Sequence, residues 1–277
     1  MSSDASFTET VISDDYNWDA NGNVSAILSG AAVQASRRMQ YDARDRLTFT
    51  SYDKMGPVTV NFSYDPLDNL RTYATPNRAY THEYDASTWR LTRIRDPGNA
   101  TAYQYSYAGD AGNRGNVTTR FQAGSPVNLT HNFTFDQGNR MRALSGSAAQ
   151  TYTYDGMGRR TRITNSATVY RHQMYSQSGK LVYERLFSNK FKNGQNEKTY
   201  AYLDNHLIGR TEGAVGFAVT KTYLHTDGLG SPVAETNDAG AVIANSRSLY
   251  EPYGFLAYGP TDQAPATPAT SEMRPRA

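Results

Sequence analysis

The chain has 277 residues, a formal net charge of +2 and 38% hydrophobic residues. It contains no cysteine, which excludes disulfide frameworks, thiolate metal sites and cysteine nucleophiles. Gly and Pro number 22 and 11, an average load that excludes collagen-like and elastic low-complexity sequences. The 21 tyrosines almost equal the glycines in number, so we expect a core built largely from tyrosine rings.

The distribution of charge and of apolar residues argues against two classes of partner. A net charge of +2 is too weak a field to indicate nucleic-acid binding. No apolar run approaches the roughly 18 residues of a membrane-spanning helix, and residues 1–10 show no signal-peptide pattern. Arginine supplies 22 of the 28 cations, and because arginine stacks on rings and binds carboxylates, this bias predicts packing roles.

After a loose N-terminus predicted over residues 1–13, a short repeat organises the chain. Aromatic residues that precede predicted tips recur with a period near 20 to 23 residues, at positions 18, 41, 64, 84, 107, 135, 154 and 175, and most are followed by Asp. Seven pairs are present where chance predicts about two, and three residues after the Asp there is usually Gly, Asn or Asp. The pairs are Trp18-Asp19, Tyr41-Asp42, Tyr52-Asp53, Tyr64-Asp65, Tyr84-Asp85, Phe135-Asp136 and Tyr154-Asp155.

The spacing of these residues predicts hairpin tips. Asp is favoured at the first position of a type I turn, where its carboxylate caps the local amides. The residue three positions later commonly adopts the left-handed conformation and produces a bulge, and Gly, Asn and Asp reach that conformation most easily. Each Asp-x-x-[Gly/Asn/Asp] unit is therefore predicted to reverse the chain between two strands.

The residues before the tips predict the strands. Aromatic residues alternate with other residues, as in Phe62-x-Tyr64 and Tyr152-x-Tyr154, which places both rings on one face of a strand. Residues 24–40 offer the only moderate helical pattern, and because they lie within the repeat they are interpreted as strand and loop. The sequence therefore predicts an all-β protein of sequential antiparallel hairpins over residues 14–222.

Several units depart from the pattern and are predicted to keep the hairpin with a different tip. Thr88 stands three residues after Asp85, and Trp89 occupies the place where a turn glycine could lie. Tyr107 precedes a longer glycine-rich loop, and Ser176 replaces the Asp before Gly179. From residue 259 the sequence becomes small, polar and Pro-rich, so residues 259–277 are predicted to be a disordered tail.

The Tyr-Asp-x-x-Gly-Arg-Leu units resemble YD repeats, the building blocks of bacterial RHS proteins, and are similar to repeats of insecticidal toxin-complex shells and teneurins. Residues 223–232, Tyr-Leu-His-Thr-Asp-Gly-Leu-Gly-Ser-Pro, resemble the start of the RHS-associated core. Tyr250-Glu-Pro-Tyr-Gly254 resembles the element that follows, so residues 223–258 are assigned to the start of that core. The resemblance covers roughly residues 14–258.

The resemblance implies a β-ribbon that spirals into a partial β-shell, a non-catalytic container that encapsulates or presents a secreted polymorphic toxin. The implied partners are the remaining shell segments, a C-terminal toxin cargo and secretion machinery such as type VI secretion. The implied location is outside the bacterial cell or at its surface. This chain would form an arc of the wall, as a truncated copy, one piece of a split protein or a subunit.

No catalytic, cofactor-binding or metal-binding residue is assigned, because no residue matches the family's self-cleavage motif. His225 and Asp227 could form an acid–base or metal pair, but Asp227 to Gly230 also fits a hairpin tip, which we favour. The glycine-rich residues 109–115 lack the helix that a phosphate-binding loop needs. A cell-surface carbohydrate-binding or adhesion module is the alternative function, and a hydrolase is the second alternative.

Overall fold

The predicted all-β architecture is confirmed. The structure, a computed structural model, describes residues 11–30, 35–53, 58–75, 78–107, 115–124, 126–254 and 256–258. Strands β1 to β20 form one sheet in which every strand pairs antiparallel with the next strand along the chain. β21 and β22 form a separate two-stranded sheet.

The strands of the large sheet are five to nine residues long. Their bounds are β1 Asp14–Trp18, β2 Val24–Ser29, β3 Arg37–Tyr41, β4 Leu47–Tyr52, β5 Val58–Tyr64, β6 Leu70–Thr75, β7 Arg78–Tyr84, β8 Leu91–Arg95, β9 Thr101–Tyr107, β10 Val117–Gln122, β11 Leu129–Phe135, β12 Met141–Gly146, β13 Gln150–Tyr154, β14 Arg160–Thr164, β15 Tyr170–Tyr175, β16 Leu181–Phe187, β17 Gln195–Leu203, β18 His206–Ala214, β19 Thr220–Thr226 and β20 Pro232–Thr236. β21 is Leu249–Tyr250 and β22 is Leu256–Tyr258.

Helical structure in the described part of the chain is limited to two short 3₁₀ turns, Lys192–Gly194 and Pro252–Gly254. The strand-and-loop interpretation of residues 24–40 is confirmed by β2 and β3, with residues 31–34 lying outside the described residues.

The predicted hairpin tips are confirmed wherever the structure describes them. At most of them, the amide of the residue three positions after the first tip residue donates to the carbonyl of that first residue, as Asp45 does to Asp42 at 3.0 Å. That residue has a positive φ, and the ladder shifts register beside it, which is the expected bulge. The left-handed residues at these tips are Gly22, Asp45, Asp68, Asn139, Gly158, Gly179 and Gly230.

Two tips differ from the common form. The tip after Asp85 is one residue longer, so the left-handed residue is Trp89, with φ of 57°. Asp53 follows an even-numbered strand, whereas the other predicted tips follow odd-numbered strands, so Asp53 lies at the opposite end of the strands from them. Its carboxylate accepts a hydrogen bond from the Ser36 amide at 2.8 Å. Gly56, which was predicted to complete that tip, lies outside the described residues.

One face of the sheet carries most of the tyrosine rings. Directly paired residues project from the same face, so the strand register links Phe62 to Tyr73 and Tyr73 to Tyr80. We call this side the aromatic face; it includes Tyr52, Phe62, Tyr64, Tyr73, Tyr80, Tyr103, Tyr105, Phe133, Tyr152 and Tyr200. Its best-packed part is a cluster of buried residues, among them Tyr52, Val60, Phe62 and Tyr73, as the tyrosine content predicted.

The two ends of the sheet approach each other without pairing. Arg247 Nη1 donates to the Val11 carbonyl at 2.8 Å, and a Cβ built on Gly228 would lie 2.7 Å from the Tyr16 hydroxyl. The outer edge of β20 is covered by the chain that follows, because the Ser248 amide donates to the Val233 carbonyl at 2.8 Å. The sheet therefore curves strongly but remains open.

The predicted domain boundaries remain predictions. The tail predicted over residues 259–277, the loop glycines at 109 and 112, and residues 1–10 of the predicted loose N-terminus lie outside the described residues.

Candidate functional site

In five units the tyrosine before the tip is bonded to the preceding repeat. Its hydroxyl donates to the backbone carbonyl of the apolar residue that begins the return strand of the preceding hairpin. The ring of such a tyrosine lies on the aromatic face, while its hydroxyl bonds to the preceding unit. The bonds run from Tyr41 to Val24, Tyr64 to Leu47, Tyr84 to Leu70, Tyr107 to Leu91 and Tyr154 to Met141, at 2.7 to 2.9 Å.

The residue four positions after the tip Asp connects the same two repeats through its charge. Arg46 Nε donates to Asp42 Oδ2 at 2.8 Å, while its guanidinium lies 4.9 Å from the centroid of the Tyr64 ring. The arrangement recurs where Arg140 stacks on Tyr154. The predicted packing role of the arginines is therefore confirmed at these positions.

Neighbouring tips also bond directly to each other. Asn21 and Asn23 both donate to Asp45 Oδ1, at 2.9 and 2.8 Å. Arg46 Nη1 in turn donates to Asp68 Oδ1 at 2.6 Å. Asp at the left-handed position is explained by this contact, because Gly there would adopt the turn but offer no acceptor to the preceding tip.

Hydrogen bonds within the tip favour the ionised form of the carboxylates of Asp42, Asp65 and Asp155. The Arg46 side chain is the largest influence on Asp42 and lowers the pKa of that carboxyl to about 2. The bonded Asn69 side chain lowers the pKa of Asp65, and the backbone amide of Arg159 lowers that of Asp155. These Asp residues thus accept hydrogen bonds within their own tips. This capping role explains why Asp recurs once per repeat, and no metal site is needed to account for the spacing.

The C-terminal segment 249–253 docks onto the aromatic face of β4 to β7. Leu249 is buried in the core cluster, and the Tyr253 hydroxyl lies 2.7 Å from the Tyr64 hydroxyl. The rings of Phe62 and Tyr253 meet edge to face at 5.5 Å. The segment that resembles the RHS core element is therefore packed against strands almost 200 residues earlier in the sequence.

An ion pair anchors this segment. Arg78 Nη2 donates to Glu251 Oε2 at 2.7 Å, and the Arg78 guanidinium also lies over the Tyr73 ring at 5.3 Å. Glu251 is only 7% exposed. Burial raises the pKa of Glu251 and lowers that of Arg78, which shows that removing both charges from water is unfavourable. The pair therefore fixes the place where the segment docks more than it adds to stability.

The aromatic face becomes charged and hydrogen-bonded over β15 to β20. Buried Glu184 accepts from Gln173 Nε2 at 2.8 Å and from the Tyr200 hydroxyl. Arg210 forms a two-bond pair with Glu235 at 2.8 and 3.0 Å. A shallow groove lies in this region, lined by Arg171, Glu184, Leu186, Asn196, Lys198 and Glu212.

The suggested pair of His225 and Asp227 is not brought together for chemistry. Asp227 caps the tip between β19 and β20, where its Oδ1 accepts from the Leu229 and Ser231 amides at 3.0 and 2.9 Å. His225 Nε2 instead contacts Thr236 Oγ1 at 3.0 Å. The preferred interpretation of Asp227 as a tip residue is therefore confirmed.

The other histidines occupy separate strands. Burial lowers the pKa of His82, His131 and His172, and cationic arginines nearby lower it further. His206 begins β18. Across the described ranges, no group of three His, Cys, Asp or Glu side chains is placed to hold a metal ion.

The structure also contains no membrane-spanning candidate: neither 3₁₀ turn among the described residues is long or apolar enough to cross a bilayer.

Sequence reasoning missed several turns and both buried acids. Asp96 and Asn99 form a tip of the common type without a preceding aromatic residue. Asp204 and Asn205 form a two-residue turn with positive φ at both positions, a signal that the Asp-Asn pair could have supplied. The partners of Glu184 and Glu251 come from distant positions, so local patterning offers no signal for them.

Comparison with known proteins gives matches that cover most of this chain. No family model matches it. The double-stranded DNA deaminase toxin A of Burkholderia cenocepacia (strain H111) is 24% identical over 254 residues, which cover 81% of this chain and 17% of that protein.

The solved structures that match are of toxin complexes. A TcdB2-TccC3-Cdc42 structure shares 13% identity at a TM-score of 0.36, covering 90% of this chain and 18% of that chain. A Tc holotoxin pore of Photorhabdus luminescens shares 14% identity at a TM-score of 0.34, covering 89% of this chain and 18% of that chain. This chain therefore spans less than a fifth of the length of these proteins.

Proposed function

We propose that this chain is a non-catalytic wall segment of an RHS-type shell that encloses a toxin polypeptide outside the bacterial cell. The observation that carries the proposal is the docking of residues 249–253 on the aromatic face. The chain leaves a 20-stranded curved sheet and returns onto one of its faces, which directs following polypeptide toward that side. We infer that this side faces the enclosed volume.

The contacts of the repeat support a mechanical role. Tips, tyrosine hydroxyls and arginines each bond one unit to the next, and these bonds repeat along the ribbon. Such nearest-neighbour bonding stiffens a ribbon and is typical of repeat architectures. The polypeptide partners we propose are further wall segments and a toxin cargo, with secretion machinery such as type VI secretion as the export route.

The carbohydrate-binding alternative requires open ring faces on which sugars can stack. Several tyrosine faces are instead covered by a cation of the protein itself: Arg160 lies 4.5 Å from the Tyr152 centroid and Arg162 lies 4.3 Å from that of Tyr170. Because the Tyr and Arg residues are used in pairs, we favour the wall function over glycan binding.

Protease protection tests the wall function. A flexible reporter peptide with a single protease site is fused after Ala277 of the full chain, and its cleavage rate is compared with that of the free reporter. We expect slower cleavage in the fusion and recovery of the free rate when Leu249→Asp breaks the docked segment. Equal rates for the fusion and the free reporter would overturn the proposal.

A further inference from the structure

We propose that the aromatic face of β9 to β14 binds an acidic, extended segment of a second polypeptide through the guanidinium groups of Arg120 and Arg160. The inference deepens the proposed function and rests on it, because the bound segment would belong to the enclosed polypeptide. It adds a chemical class of partner and the residues that recognise it.

The docked segment 249–253 shows how this face holds an acid delivered from elsewhere. Arg78 stacks on the ring of Tyr73 at 5.3 Å and points its N–H groups at Glu251, with Nη2 to Oε2 at 2.7 Å. A stacked guanidinium keeps its in-plane N–H edge available, and that edge matches the geometry of a carboxylate. Arg and Tyr on this face therefore form a holder for a Glu side chain.

Arg160 and Tyr152 form the same stacked pair as Arg78 and Tyr73, but no Glu or Asp of the described residues is bound to it. The Arg160 guanidinium lies 4.5 Å from the Tyr152 centroid, and Tyr152 is 2% exposed. Arg160 is half-buried, its Nε has no hydrogen-bond partner, and no carboxylate of the described residues is paired with it. Compared with the Arg78 holder, the missing component is a negatively charged group paired with the guanidinium.

The charge pattern along the face indicates the same partner. Over β15 to β20 each cation on the aromatic face has an acidic partner on the same face. The pairs are Arg171–Glu184, Lys198–Glu212 and Arg210–Glu235. Over β9 to β14 the register places two cations on that face and no acid among the described residues. Charge complementarity therefore favours an acidic partner for this stretch.

Arg120 provides the second anchoring group. It is paired directly with Tyr105 on one side and with His131 on the other. Among the described residues, its buried Nε has no hydrogen-bond partner, and neither has Nδ1 of His131, which is 4% exposed. A carboxylate bound at this row would bring Arg120 a charged acceptor that the described residues do not pair with it.

The separation of the two arginines sets the shape of the ligand. β10 and β14 are four strands apart, which corresponds to about 19 Å at roughly 4.8 Å per strand. An extended segment of about six residues covers that distance at roughly 3.3 Å per residue. Two acidic side chains separated by about five residues could therefore reach both arginines.

Peptide binding to the full chain tests the inference. The probe is a fluorescent peptide of alternating Glu and Ser, compared with the same peptide carrying Gln in place of Glu. We expect Arg160→Gln to weaken binding of the Glu peptide about tenfold, the usual effect of losing a charge-assisted hydrogen bond. Arg162→Gln is the matched control, because Arg162 also stacks on a tyrosine but lies on the opposite face of β14.

Each outcome decides the question. Preference for the Glu peptide that Arg160→Gln removes and Arg162→Gln retains supports the inference. Equal binding of the two peptides to the unmodified chain, or binding only of a single-stranded DNA oligonucleotide, overturns it without requiring any variant to fold. Protection of the fused reporter together with equal peptide binding would retain the wall function and reject the acidic partner alone.

Discussion

The Tyr64 hydroxyl lies 2.8 Å from the carbonyl oxygen of Leu47, which begins the return strand of the preceding hairpin. The same hydroxyl lies 2.7 Å from that of Tyr253 in the docked C-terminal segment. One tyrosine thus connects the repeat-to-repeat bonding of the ribbon with the chain that crosses its aromatic face. The following predictions test the two kinds of contact separately.

Removing one repeat-to-repeat bond should weaken the ribbon while the ring packing remains. We expect Tyr154→Phe to lower the free energy of unfolding by about 1 kcal/mol, because the Met141 carbonyl loses its side-chain donor. Urea unfolding followed by circular dichroism measures the change. Tyr103→Phe is the control, since the Tyr103 ring packs against Tyr80 but its hydroxyl forms no hydrogen bond to a neighbouring hairpin within the part of the chain that the structure describes. An equal loss in both variants would contradict the role assigned to the Tyr154 hydroxyl.

The tip between β13 and β14 allows a comparison of two glycines in one turn. Neither Gly156 nor Gly158 has an atom within 4 Å of an added Cβ, but Gly158 has φ of +77°. We expect Gly158→Ala to destabilise the protein by about 1 kcal/mol and Gly156→Ala to be close to neutral, because only the first forces a side chain into the left-handed region. Thermal unfolding measures both, and a similar effect of the two substitutions would contradict the turn assignment.

The ion pair at the tip after β3 should give a distinct acid dependence. The pKa of Asp42 is lowered to about 2 in the folded chain, so its contribution to stability is complete above the unfolded pKa of about 3.9. That contribution should disappear progressively as the pH falls through about 2, when the carboxyl takes up a proton and releases Arg46. Denaturant titrations from pH 5 to pH 2 should show a shallower acid loss in Asp42→Asn.

The acid titration of Asp42 can be checked through its partner. Arg46→Gln removes the cation that bonds to the Asp42 carboxylate, so this variant should also lose less stability on acidification than the unmodified chain. A profile for Asp42→Asn that matches the unmodified chain would show that the tip ion pair contributes nothing to acid sensitivity.

The buried ion pair should control docking of the C-terminal segment. Glu251→Gln removes the negative charge that pairs with Arg78. We expect docking to weaken by about 2 kcal/mol, below the range for fully buried pairs because Arg78 is partly exposed. Hydrogen exchange should rise in residues 249–253 and remain unchanged in β13 to β16. Glu212→Gln, which breaks a more exposed pair with Lys198, should have little effect; unchanged exchange in Glu251→Gln would contradict the anchor.

The sequence alone determined the repeating local structure. A hairpin tip is decided by a few adjacent residues, so Asp-x-x-Gly spacing and alternating rings were enough to predict chain reversals at Asp19, Asp42 and Asp65 and the antiparallel strands between them. Tips such as Asp96 to Asn99 were missed because the aromatic residue used as the marker is absent there, although the turn chemistry is the same.

Only the tertiary structure decided which distant residues meet. The contacts of Glu251 with Arg78 and of Tyr253 with Tyr64 join parts of the chain that no local pattern relates, and they depend on the curvature accumulated over twenty strands. The same holds for the face on which each arginine lies. The bulge beside the tip shifts the alternation of side chains, so the position of Arg160 beside Tyr152, with no carboxylate of the described residues paired to it, emerges only from the assembled register.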